Sequence, residues 1–398
     1  MRADIPPGVT DAAARSQHEM TVCNSCRYCE AYCPVFQAME ERLTFTSGDV
    51  AYLANLCHNC GECLYACQFA PPHEFGIDVP KTFSALRVES YEAAAWPAFA
   101  APAFRRPWTT TAVALAAGAL AVGIISALAA RTLWVRDVSP AFSATAARTF
   151  QVRGTAIQVQ GTADFYSVIP HDLMVMLFGA VGVFAVVALV IGYRRFARSI
   201  ANPHIADPPS PLRGFGAASP VGAAARDALT LKHLHATGED CVDDEETRRP
   251  WRRWMHHCTF YGFLLCFAST SVAAIYHVVF GWVAPYAYTS LPVVLGTVGG
   301  LGLLLGPAGL LLIDRRRDSE LTHSTQASLD APFLAILFLT SLTGLLLLAL
   351  RERSYMMYLL VVHLAFVLAL FVTLPYGKFV HGIYRAAALV KFRREINH

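Results

Sequence analysis

Apolar positions along this 398-residue chain follow two regimes. Up to about residue 104 they are mixed with polar residues as in a water-soluble domain, and beyond it they merge into long uninterrupted runs. A helix crossing a hydrocarbon layer of ~30 Å needs about 20 residues. Runs of that length stand at about 109–130, 171–193, 255–282, 291–313, 331–350 and 355–375. The pattern therefore predicts six membrane spans behind a polar N-terminal domain. It divides the chain into a domain at 1–104, spans one and two within 105–200, a polar loop at 201–253, and spans three to six with a basic tail at 254–398.

Composition agrees: 55% of residues are hydrophobic and 15% charged, against about a quarter charged in soluble proteins. A net charge of +3 is too small to point to a nucleic-acid partner. Its distribution is more informative. Arg105, Arg106, Arg194, Arg195, Arg198, Arg248, Arg249, Arg252, Arg253, Arg315 to Arg317 and Lys378 flank span ends on one side, while the other side has the uncharged APYAYTS connection, the short RERS turn and a first loop with Arg131, Arg136, Arg148 and Arg153. The Lys/Arg bias places the first side in the cytoplasm, with both termini. The first twenty residues have no apolar core and do not read as a signal peptide. The expectation is a multi-pass protein of a bacterial inner (plasma) membrane. The tail HGIYRAAALVKFRREINH reads as a basic amphipathic helix on the inner leaflet, or as a solvated helix end.

Eight of the eleven cysteines lie between Cys23 and Cys67. They form two runs of one cadence, Cys23-x2-Cys26-x2-Cys29-x3-Cys33-Pro34 and Cys57-x2-Cys60-x2-Cys63-x3-Cys67. In two-cluster ferredoxins three cysteines of such a run hold one [4Fe–4S] cluster and the fourth serves the other. The predicted ligand sets are thus Cys23, Cys26, Cys29 and Cys67 for one cluster, and Cys57, Cys60, Cys63 and Cys33 for the other. Zinc knuckles use cysteine pairs with a longer spacer, which these three-cysteine cadences fit poorly. Gln68 stands where a second proline would complete the motif. The spacer between the runs has helical periodicity, so a mainly α architecture is expected, with an α-helical ferredoxin-like domain ahead of a six-helix haem-binding bundle.

Imidazoles within a bilayer are costly, and histidines on facing helices are a usual means of holding b-type haem. The candidates are His171 on span two, His256, His257 and His277 on span three, and His363 and His381 on span six. His363 and His381 lie eighteen residues apart, which on a straight helix returns to the same face ~27 Å further along. His256 shares a face with His277 to within about 60°, whereas His257 lies nearly opposite, so phase prefers His256. Depth then pairs His256 or His257 with His381 near the cytoplasm, and His277 with His363 near the outer side, for one or two haems. His171 and Asp172 at the outer boundary could serve a quinone head group or simply cap a helix.

The double cysteine run joined to a six-span domain, with RRPWRRWMHHCTFYGFLLCFASTSVAAIYH around span three, resembles the electron-transfer subunits of tricarballylate utilisation, the TcuB/CitB family, which is also found fused behind a flavoprotein in CobZ. His363 followed by LPYGKFVH is similar to the last helix of nitrate-reductase gamma and membrane heterodisulfide-reductase subunits, where both histidines hold haem. The resemblance implies a soluble FAD dehydrogenase that oxidises tricarballylate, with this chain passing its electrons to quinone. No dinucleotide-binding glycine fingerprint lies in a strand-turn-helix context here, so the flavin is expected on the partner. No nucleophile or acid–base constellation calls for hydrolytic or transfer chemistry. The alternatives are a heterodisulfide- or nitrate-type module with another dehydrogenase, an iron–sulfur redox sensor without haem, and, more remotely, a transporter, whose spans should carry midplane acidic or broken-helix features.

Overall fold

The polar pattern of residues 1–104 resolves into short capped helices. A computed structural model of the chain describes residues 10–137, 168–201, 219–234, 251–316, 318–353 and 355–396, with side chains omitted at 129–137. Cys241, Arg148, Arg153, Arg248, Arg249, Arg317 and most of the 201–253 loop lie outside the described residues, as do the side chains of Arg131 and Arg136. All regular structure among the described residues is helical.

In the N-terminal part, α1 is Asp11–Cys26, α2 Pro34–Glu40, α3 Ser47–Leu56, α4 Glu62–Tyr65 and α5 Val79–Ala94. Their starts follow local chemistry: the Thr10 hydroxyl accepts from Ala13 N, Thr46 and Asp49 form a capping box, and Asp78 accepts from Lys81 N. Met20, Tyr52, Leu53, Phe83 and Tyr91 of α1, α3 and α5 form a core fully or almost fully closed to solvent.

The apolar runs become α6 (Pro107–Asp137), α7 (His171–Ser199), α9 (Trp251–Phe280), α10 (Leu291–Arg316), α11 (Ser324–Ala349) and α12 (Met356–Thr373), while α8 (Pro220–Leu229) belongs to the loop. Among the described residues six helical segments are long and apolar enough to cross a membrane, the last being α12 with its continuation. Side chains such as Val183, Phe267, Val278, Val298 and Leu305 are exposed on them, an outward apolar surface suited to lipid. The glycine-rich stretch of α10 lets its backbone meet that of α9: a Cβ on Gly299 would sit 2.9 Å from both the Cys266 nitrogen and the Gly262 oxygen. Small residues allow this close packing where no hydrophobic driving force joins helices.

The tail is a correction. After a 3-10 turn at Leu374–Tyr376 the chain continues as α13 (Val380–Ile396), which packs into the N-terminal domain instead of lying on a leaflet or in solvent. Tyr384, Ala388, Leu389 and Phe392 enter the same core as α3 and α5. Glu395 accepts from Arg42 Nη2 at 2.5 Å and from the Tyr52 hydroxyl at 2.8 Å. Further bonds seat the domain on one end of the bundle: Arg195 Nη1 to the Ala95 carbonyl, Asn59 Nδ2 to the Leu321 carbonyl, and Lys81 to Glu320. That end is the one marked by the flanking arginines.

Candidate metal and cofactor site

The α1 helix stops at Arg27, whose left-handed backbone (φ 55°) returns its N–H to the Cys23 carbonyl at 2.8 Å. The chain then turns, so that Cys26 and Cys29 face the space Cys23 faces. A cavity of about 270 Å³ lies there, lined by Cys23, Cys26, Cys29, Cys63 and Cys67 with apolar Val22, Phe36, Ile77 and Val79. Cys33 precedes Pro34 at the start of α2; it lies within electrostatic reach of Cys60 and Cys57, and its sulfur faces the Val35 and Phe36 N–H groups. Cys63 lies within reach of Cys60, Cys57 and Cys33, and of Cys29 across the first cavity. Asn59 (φ 56°) donates its N–H to Cys57 Sγ at 3.3 Å. Gly61, at φ 95°, lies where a Cβ would run into Leu321.

The structure thus brings Cys23, Cys26, Cys29 and Cys67 together, and Cys33, Cys57, Cys60 and Cys63 beside them. Among the described residues no three His, Cys, Asp or Glu side chains converge on one point close enough for a single metal ion. Burial pushes the Cys29 thiol up to about 11, the Cys23 and Cys33 thiols higher still, and the Cys63 thiol well above the usual thiol range. Without a metal they are protonated, inert thiols rather than nucleophiles.

The histidines sort by what each ring touches. His256 and His381 face one another with ring centres 6.1 Å apart and planes crossed at 70°. A metal bonded to two imidazole nitrogens at about 2 Å each places the ring centres about 6 Å apart. His381 Nδ1 bonds the Lys378 carbonyl at 3.0 Å, which fixes that nitrogen as the N–H and leaves Nε2 as a ligand atom. His256 Nδ1 is buried with no hydrogen-bond partner. This pair fits an iron. His257 instead stacks on Tyr261, with ring centres 5.6 Å apart, in keeping with the phase argument.

The outer pairing is different from the one expected. His277 stacks on His171, ring centres 3.8 Å apart, too close for an iron between them. His363 Nδ1 lies 3.1 Å from Thr343 Oγ1, whose own hydrogen goes to the Leu339 or Thr340 carbonyl, so His363 is the donor and Nε2 is left over. Its predicted partner His277 is instead stacked on His171.

Sequence reading missed the groups between the second cysteine run and the His256/His381 pair. Arg87 Nη1 donates to the Cys57 carbonyl at 2.6 Å, Arg385 Nη2 to the Leu56 carbonyl at 2.9 Å and Arg252 Nη2 to the His58 carbonyl at 3.0 Å. Arg385 also bonds His58 Nε2. Burial first, then Arg385 and Arg252, push His58 well below the usual imidazole range, so it accepts this bond as the neutral ring. A basic residue whose partner is a backbone carbonyl leaves no complementary charge in the sequence by which to find it.

Comparison with known proteins gives the family. The family described as "Citrate utilization protein B Fer4-like domain" matches residues 15–93, and "Citrate utilization protein B" matches residues 152–398. An Escherichia coli protein named "Citrate utilization protein B" is 42% identical over 388 residues, covering 97% of this chain and 93% of its own length. No solved structure matches. A Fer4-like domain with its cysteines in two groups, joined to six helices able to span a membrane, is consistent with iron–sulfur electron transfer, and the chain belongs to the citrate utilization protein B family.

Proposed function

We propose that this chain is a membrane-bound electron-transfer subunit of tricarboxylate utilisation, taking electrons from a soluble FAD dehydrogenase, with tricarballylate its favoured substrate, and delivering them to the quinone pool. Two [4Fe–4S] clusters and one b-type haem supply one-electron carriers when bound. Cys23, Cys26, Cys29 and Cys67 would hold one cluster and Cys33, Cys57, Cys60 and Cys63 the other, on the cytoplasmic side of a bacterial inner membrane. His256 and His381 would hold the haem. Lys378 orients His381 through its carbonyl, and its ammonium is paired with Asp330 at 2.5 Å. His363 is prepared as a ligand by Thr343 and is not assigned a second haem.

The observation that carries the reading is a single side chain. Arg385 touches the Leu56 and Cys57 carbonyls and His58, and lies within electrostatic reach of His256 and His381. The second cysteine site and the histidine pair are therefore neighbours in one structural unit, as carriers in series must be. The test is the visible spectrum of anaerobically purified protein: dithionite should give b-type bands, lost in His381→Ala and kept in His257→Ala. Absence of haem from the wild type would favour the redox-sensor reading. Co-purification from native membranes should recover a flavoprotein, and its absence would remove the proposed donor.

A further inference from the structure

Three guanidinium groups, Arg87 buried and Arg252 and Arg385 half-buried, converge on three consecutive backbone carbonyls at the start of the second cysteine run. Arg87 comes from α5, Arg252 from the start of α9 and Arg385 from α13, and together they hold the carbonyls of Leu56, Cys57 and His58. Carboxylates neutralise other buried cations of this protein: Arg42 has Asp49 and Glu395, and Lys378 has Asp330. Among the described residues no carboxylate pairs with Arg87, Arg252 or Arg385. Arg87 is 7% exposed, spends Nε on the neutral Gln326 amide and has Nη2 buried without a partner.

Carbonyl oxygens solvate these cations without neutralising them, so a concentration of positive charge withdrawn from water favours an anion beside it. Four iron-bound thiolates outweigh the positive charge of a cubane core, and each added electron makes the centre more negative. A fixed cation beside it therefore favours the reduced form, as does the Asn59 N–H directed at Cys57 Sγ.

The first cysteine site has different surroundings. The buried Glu19 carboxyl, bonded to Arg15 Nε at 3.3 Å, acts on Cys23, and Glu62 acts on Cys29. Arg27, bonded to the Asn24 carbonyl at 3.1 Å, is exposed to solvent. Cys26 is exposed and Cys57 buried, so the first site is the open one.

Building on the functional reading above, we propose that Arg87, Arg252 and Arg385 form a cationic clamp that makes the Cys33/Cys57/Cys60/Cys63 centre the higher-potential of the two. An electron from the reduced flavin of the partner enters at the open Cys23/Cys26/Cys29/Cys67 centre, is held preferentially at the clamped one, and leaves toward His256 and His381. Each step moves one electron and breaks no bond. Arg87 and Arg385 act as positioning and tuning residues, not catalytic ones.

The test is potentiometric titration followed by low-temperature EPR on full-length protein in nanodiscs, comparing wild type, Arg385→Gln, Arg385→Lys, Arg87→Gln and Cys67→Ser. Two midpoints should be resolved. Cys67→Ser should alter the signal of the lower one. Arg385→Gln and Arg87→Gln should shift the higher midpoint downward and leave the lower in place, and Arg385→Lys should recover most of the shift. A clamp that merely fastened the two halves together would lower iron content without moving the midpoint of the centres that remain. The proposal is overturned if both midpoints move together, if neither moves, or if Cys67→Ser alters the higher one. Should Arg385→Gln not accumulate, Arg87→Gln and Cys67→Ser still decide it. Wild-type protein without iron would instead sink the functional reading.

Discussion

Replacing Glu395 by leucine removes the carboxylate that Arg42 and Tyr52 share. The side chains of Arg42 and Glu395 are 2% and 7% exposed, so the change strands groups in a closed interior. Breaking a buried pair by removing one partner costs about 3–5 kcal/mol. Arg42 keeps Asp49 at 2.9 Å and the Ala38 carbonyl, so the lower end applies. The orphaned Tyr52 hydroxyl adds about 1 kcal/mol, which the apolar leucine side chain roughly returns by its burial. The net loss is about 3 kcal/mol, or about 100-fold in the opening equilibrium of α13 at ~1.4 kcal/mol per decade. Hydrogen exchange of amides 386–396 in the full-length protein, with closing fast, should accelerate by that factor. Tyr52→Phe alone should cost about 1 kcal/mol, and the double variant should fall short of the sum of the singles because it leaves no stranded hydroxyl. Wild-type exchange in Glu395→Leu would refute the docking of this helix and return it to the membrane surface.

Three further outcomes are expected. Burial raises Glu19 to about 7, so the folded domain keeps a proton that the unfolded chain releases. The stabilisation is complete below about pH 4.5 and lost as pH rises through 7; the heat-bleaching midpoint of the iron–sulfur absorbance should fall from pH 5 to pH 8, and Glu19→Gln should flatten that slope. Gly299→Val would force the α9 and α10 backbones apart at the contact with Cys266 and Gly262; overpacking of this kind costs about 1–3 kcal/mol, to be seen as a lower thermal aggregation temperature in detergent, with Gly123→Ala, which meets nothing within 4 Å, as the unaffected control. Thr343→Val removes the group that fixes the His363 tautomer; it should leave the haem bands of the His256/His381 pair unchanged, and their loss would show that His363 shares that site.

The six long apolar helices were legible because a helix able to cross a membrane needs apolar length and little else: the run read at 291–313 becomes Leu291–Arg316, and that at 171–193 becomes His171–Ser199. The grouping of the cysteines was legible because the fourth of each run stands one residue out of cadence. His256 could be told from His257 because a rigid helix converts sequence position into direction. The tail failed because Arg385, Arg393 and Glu395 make the same amphipathic pattern whether they meet head groups, water or protein. Their true partners are far away in sequence: Arg393 reaches Asp227 at 2.6 Å and Glu395 reaches Arg42. Arg252 was hidden among the basic residues that report topology, since a charge read for its side of the membrane carries no sign of a second task. The stacking of His277 on His171 left no mark in the sequence, because it joins two helices about a hundred residues apart.

The central claim is that the two crossed groups of four cysteines each hold a cubane. Iron and acid-labile sulfide, quantified per chain in anaerobically purified protein alongside zinc, test it most directly. The account predicts about eight non-haem irons and about eight sulfides, with zinc near zero. Stoichiometric zinc, or about four irons, would contradict it.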